Sequence, residues 1–179
     1  MDSMPQARLL TKLFEMNYGA LYRNLEGITH EDSVVLPEPA GNPVNWVVGH
    51  IVATRNRMFC VMKLEPVWPM ETSLLYSGVD SSMWSPASAI ELKSLESDLA
   101  RSQSVLMGAL DSATGRELNV RSADGKTLGE ILGFFHFHEA YHVGQVGLLR
   151  RLLGRQGAIK SSANGIPRVS PGGLKLLED

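Results

Sequence analysis

Three stretches of this chain open on a helix-start signature and continue with apolar residues at helical spacing; a fourth shows the spacing behind a weaker start. Asn42-Pro43 stands ahead of VNWVVGHIVATRNRMFCVMKL, an N-cap residue followed by proline at the first helical position, where the missing N–H is not needed. Ser85-Pro86 repeats that signature ahead of ASAIELKSLESDLARSQSVLMGAL. Thr127-Leu128-Gly129-Glu130 has capping-box spacing, a hydroxyl at the cap and a carboxylate three residues on. Ser3 to Gln6 is the weaker version. The pattern predicts helices over about 4–28, 43–64, 86–112 and 128–154. Leu9, Leu13, Met16 and Ala20 mark the apolar stripe of the first, and Leu92, Leu95, Leu99 and Leu106 that of the third. At ~1.5 Å per residue these are rods of roughly 33–40 Å, well matched in length. Such rods bury their stripes most simply against one another, so the expected fold is all-α, a four-helix bundle. Strands have only two short candidates, Ser33 to Leu36 and Leu118 to Arg121.

A chain of 179 residues makes one domain with a substantial core, and no internal repeat divides it. The bundle is expected over residues 1–154, with 155–179 as an irregular surface tail rich in Gly, Ser and Pro. The tail ends in LKLLED, which would pack locally or help an oligomer. Residues 65–84 form a link of about 20 residues between the second and third helices, the length of a crossover or a functional loop.

The formal charge of −2 offers no basic patch for a nucleic-acid partner. No apolar run approaches the roughly 20 residues that span a bilayer, so no membrane partner is expected. The N-terminus MDSMPQARLL lacks the order of a signal peptide. A single cysteine, Cys60, excludes an internal disulfide and points to a reducing cytoplasm. Its neighbours Met58, Phe59, Val61 and Met62 predict a buried, inert thiol.

The helix expected over 128–154 contains FFHFHEAYHVGQVGLLRRLLG. His138 and His142, four apart, leave the same helical face, the usual way for one helix to give a metal two imidazole nitrogens. His50, in the middle of the second helix, is the obvious third donor. A lone histidine on an apolar helix is more often a hydrogen-bonded core residue. Three buried together without a metal would leave several nitrogens unpaired, at ~1–3 kcal/mol each, so a shared divalent ion is the better reading. His136, two residues from His138, points about 200° away from that site, and His30 falls in a loop where solvent would reach it.

His138-Glu139-Ala140-Tyr141-His142 also satisfies HExxH, where a zinc peptidase uses the glutamate as general base. The extended form would place glycine at 145 and histidine at 148, where this chain has Gln145 and Leu148. The next acidic residues after Glu139 are Glu178 and Asp179, in the tail, and no sheet edge is in view to hold a peptide. The peptidase reading is therefore the weaker one. Glu139 becomes a helix-surface residue or a neighbour of the ligands, with a general-base role left open. Gln145, near His142, is a candidate hydrogen-bond partner for the site. Trp46 and Tyr141 are candidates for its lining, and Gly144 and Gly147 for close helix approach.

At Asn45-Trp46-Val47-Val48-Gly49-His50 and His138-Glu139-Ala140-Tyr141-His142-Val143-Gly144-Gln145 the chain resembles the DinB/YfiT superfamily of metal-dependent helical proteins, over about residues 4–154. The resemblance implies an up-down-down-up bundle, with residues 65–84 as the crossover. It implies metal ligands His50, His138 and His142, with zinc or nickel as the usual ion, and frequent homodimers. Some relatives are transferases or isomerases that use a low-molecular-weight thiol. Three ligands leave a coordination position open, at which a water or thiol would lose its proton near neutral pH. The expected function is thus thiol-dependent transfer, or hydrolysis, on a small-molecule substrate. The alternatives are a non-catalytic metal-binding or stress-response protein built for dimerisation, and a bundle without metal whose histidines fill a polar core.

Overall fold

The computed structural model of the protein describes residues 5–78 and 84–158. Within them lie seven α-helices: α1 (Pro5–Leu25), α2 (His30–Ser33), α3 (Val44–Met62), α4 (Met70–Leu75), α5 (Leu92–Ser112), α6 (Gly115–Leu118) and α7 (Leu128–Leu152). No strand forms among the described residues; Arg121 makes only an isolated bridge with Thr127. Ser33 instead closes α2 and Leu118 closes α6, so neither strand candidate survives.

The four long helices are those the periodicity predicts, but α3 and α5 start differently from their signatures. Thr127 caps α7 as expected: its hydroxyl accepts from the Glu130 N–H, and the Glu130 carboxylate accepts from the Thr127 N–H. At α3 the cap position belongs to Pro43, in extended backbone and with no side-chain cap, rather than to Asn42. Ser85-Pro86 opens only a 3-10 turn, Pro86–Ser88, and α5 begins at Leu92. The orphan N–H of Leu92 donates to His30 Nδ1 at 3.3 Å. His30 is thus no solvated loop residue; half-buried at the start of α2, it helps cap α5. The Ser3 cap and the LKLLED tail lie outside the described residues.

α1 packs on α5 and α7, and α3 packs on the same two helices. The core divides into two clusters along this seam. One joins Leu21, Val47, Val48, Ile51, Leu95, Leu99, Val143 and Val146; the other joins Ala7, Phe14, Met58, Phe59, Leu106, Leu110 and Leu132. The stripe of α1 is Ala7, Leu10, Phe14, Leu21 and Leu25, while Leu9 and Met16 are 60% and 69% exposed. Phe14 and Asn17 take the inward positions, displacing the expected stripe around the helix by part of a turn. In α5 all four expected stripe leucines are buried.

α3 is buried on nearly every side, because the link that follows it folds back over its outer face. Asn56 Nδ2 donates to Trp68 O and Ser73 Oγ, and its Oδ1 accepts from the Val67 N–H. Trp68, Tyr76 and Trp84 are buried against the α3 core. Cys60 is exposed, not buried: Met58 and Phe59 turn inward, and the thiol one residue on faces out.

Candidate metal centre

His50, His138 and His142 come together where α3 meets α7, each offering one nitrogen within 4.8 Å of the others'. His138 Nε2 stands 3.4 Å from His50 Nε2 and 3.3 Å from His142 Nε2. The remaining nitrogens decide what these contacts are. His50 Nδ1 lies 2.6 Å from Tyr76 O, and a carbonyl only accepts, so the ring proton sits on Nδ1 and Nε2 presents a lone pair. His142 Nδ1 donates likewise to Gln145 Oε1 at 2.7 Å. Two lone pairs therefore face His138 Nε2, which can satisfy one at most, while buried His138 Nδ1 has no hydrogen-bond partner. No choice of neutral tautomer satisfies the trio, whereas a cation at its centre takes all three lone pairs.

Burial holds the imidazoles neutral, as ligands must be. It pushes His142 down to about 4, against the opposing hydrogen bond to Gln145. His50 and His138 are lowered too, first by burial; the Arg57 charge adds to both. Trp46 stacks on His50 with ring centroids 4.7 Å apart, and Tyr141, itself exposed, sets its ring edge-on to His142 at 5.1 Å. His136 points elsewhere as expected, its ring 5.5 Å from that of Phe14.

Two features near the trio were not legible in the sequence. Tyr76 comes from the link, and its ring lies directly over Gly49: a Cβ there would sit 2.2 Å from Tyr76 Cδ1. Glycine beside His50 is what lets Tyr76 approach and present its carbonyl. The ring is anchored in turn, its hydroxyl donating to Asn45 Oδ1 and accepting from the Ile90 N–H. The second feature concerns Glu139, which is not on the helix surface but only 4% exposed. Both its oxygens take hydrogen bonds from Arg55, Nε at 2.7 Å and NH2 at 2.9 Å. Arg55 further donates to Ser102 Oγ and Gln103 Oε1. An arginine buried within an apolar helix was the one available signal for such a partner.

α1 fixes α7 beside the site through two buried asparagines: Asn17 Nδ2 donates to His136 O and Asn24 Nδ2 to Val143 O. Gly147 gives Asn24 room, since a Cβ there would meet its Nδ2 at 3.3 Å. Gly144 has nothing within 4 Å, so close approach does not explain it. His138 and Glu139 border a cavity of about 10 Å³ that also touches Thr54, space for about one water. A larger cavity of about 460 Å³, lined by Leu64, Ala109, Val120 and Ile131 among others, touches none of the three histidines. No described helix is long and apolar enough to cross a membrane.

A conserved protein from Enterococcus faecalis, known from its crystal structure, is similar in fold, with a TM-score of 0.66 at 17% identity over 84% of this chain and 98% of that one. No curated protein matches the chain significantly. The family model of the DinB superfamily matches residues 13–146, and the chain belongs to that superfamily.

Proposed function

We propose that His50, His138 and His142 bind one divalent metal ion, zinc or nickel, through their Nε2 atoms, and that the protein is a metal-dependent enzyme of small-molecule chemistry. The convergence of three Nε2 atoms, two of them lone-pair donors by virtue of Tyr76 O and Gln145 Oε1, carries this reading. When bound, the ion would acidify a water or thiol at its open position, giving a nucleophile for thiol-dependent transfer or for hydrolysis. The chain's own part is orientation. Tyr76 and Gln145 hold two rings with their lone pairs inward, and Trp46 packs flat against one of them. Glu139, with both oxygens on Arg55, supports an ion-pair role rather than that of a peptidase base.

The up-down-down-up arrangement belongs to the same reading. The bonds from Asn17 and Asn24 to α7 share an offset of 119 residues, as between parallel helices. Those from Asn45 and Arg55 to Ile90 and Leu99 have offsets of 45 and 44. Val47 clusters with Val143 whereas Met58 clusters with Leu132, the antiparallel order. Residues 1–154 are then the bundle domain and 155–179 its tail. A homodimer would cover the exposed row Phe137, Tyr141, Leu148 of α7, and a reducing cytoplasm would keep the exposed Cys60 thiol free.

Purified protein should carry about one metal ion per chain, lost in His142→Ala; wild-type protein that binds no metal overturns the proposal. Transfer of a low-molecular-weight thiol to an electrophile, dependent on both metal and thiol, would mark a transferase. The second reading, a non-catalytic metal-binding protein, is favoured by the cavity that His138 borders, which has room for about one water. Metal binding without turnover across a panel of thiols and electrophiles would select it.

A further inference from the structure

From Val44 to Phe59 every residue of α3 is buried except Arg57. It follows His50 by seven residues, so it lies on nearly the same helical face, roughly 10 Å along the axis. Arg55 and Glu139, which border the same small cavity as His138, pair with each other. Arg57 makes no hydrogen bond or ion pair with any described residue. On α7, Phe134 stands one turn before His138, exposed, with its ring centroid 6.4 Å from the imidazole.

A divalent ion on three neutral imidazoles keeps its full charge, and the Arg57 guanidinium, without a counter-charge among the described residues, adds to it. No carboxylate among the ligands offsets this, as one does in sites built from two histidines and an acid. Such a centre favours an anionic occupant on its open side. Resting on the three-histidine reading, we propose that the site takes a small organic anion, its charged group paired with Arg57 and its apolar body lying against Phe134. Arg57 would then discriminate between ligands, donating to a carboxylate in the bidentate way that guanidinium favours.

The test uses Co²⁺-loaded protein, titrated with matched thiols and followed by the absorption of the sulfur-bound metal. The pairs are 3-mercaptopropionate against 3-mercaptopropanol, and 6-mercaptohexanoate against 6-mercaptohexanol. Both members offer the same sulfur donor, and the two lengths sample the distance to Arg57. At one length or both, the carboxylate should bind about five- to tenfold more tightly than its alcohol, the effect of a single partly exposed ion pair. Arg57→Gln should abolish that preference and Arg57→Lys keep most of it. Because Arg57 is exposed, Arg57→Gln should retain the wild-type melting temperature, and with the repulsion removed it should bind Co²⁺ severalfold more tightly. Equal binding of acid and alcohol by wild type overturns the proposal, as does a preference that survives Arg57→Gln. In either case the metal site itself stands. Failure of wild-type protein to bind Co²⁺ overturns both this proposal and the reading beneath it.

Discussion

Arg55 and Glu139 are 2% and 4% exposed, and each is the principal counter-charge of the other. Glu139→Ala therefore leaves a guanidinium buried without its partner and should cost about 3–5 kcal/mol of unfolding free energy, read from urea denaturation. A loss below ~1 kcal/mol would mean that water already reaches the pair. Gly49 makes a different kind of demand, steric rather than electrostatic. In Gly49→Ala the new Cβ cannot coexist with the Tyr76 ring, so the carbonyl that orients His50 must move. Equilibrium dialysis should show metal affinity reduced by about 10–100-fold, the usual effect of losing a ligand's hydrogen-bond partner. Gly144→Ala is the natural control, because a Cβ there meets nothing within 4 Å and affinity should be unchanged.

Among the elements, α7 carries two of the three histidines, and its first turn rests on one capping box. Thr127→Ala removes the acceptor for the Glu130 N–H and should lower stability by about 1 kcal/mol, measured as a shift in the thermal midpoint. That cap was legible because it uses neighbouring residues alone, as was the i,i+4 pair of His138 and His142. The start of α5 was not. Ser85-Pro86 has the chemistry of a helix start, yet the N–H that needed satisfying, that of Leu92, found His30 Nδ1 from 62 residues away. The same division runs through the site. Three imidazoles in long apolar helices could be proposed as ligands from spacing, whereas Tyr76 could not, because its carbonyl reaches His50 only through the folding of the link. The stripe of α1 shows a subtler limit. Leu9 and Met16 fit the apolar period as well as Leu10 and Phe14, and only packing against α7 decides which arc faces inward.

For the molecule as a whole, the buried histidines tie stability to pH. His142 ionises at about 4 in the folded chain against an ordinary value of 6.5, so between those limits the unfolded chain binds more protons. Metal-free protein should therefore hold its full stability above about pH 6.5 and lose it as pH falls toward 4. His142 alone would account for about 3 kcal/mol, and His50 and His138 act in the same direction. Chemical denaturation of the apo form from pH 7.5 to 4.5 measures this, and a flat profile would contradict the burial of the trio. Bound metal, which competes with those protons, should move the loss to lower pH.

The hold of Tyr76 on His50 is also a thermodynamic coupling between a folded segment and a bound ion. If docking of residues 65–78 raises the affinity of the histidines, binding of the ion must by the same factor raise the free energy needed to undock that segment. Amide hydrogen exchange in residues 65–78 should then slow on loading by up to the affinity ratio between wild type and Gly49→Ala, while residues 115–122, far along the bundle, exchange as before. A peptide segment that supplies no ligand of its own would thus report whether the metal is present.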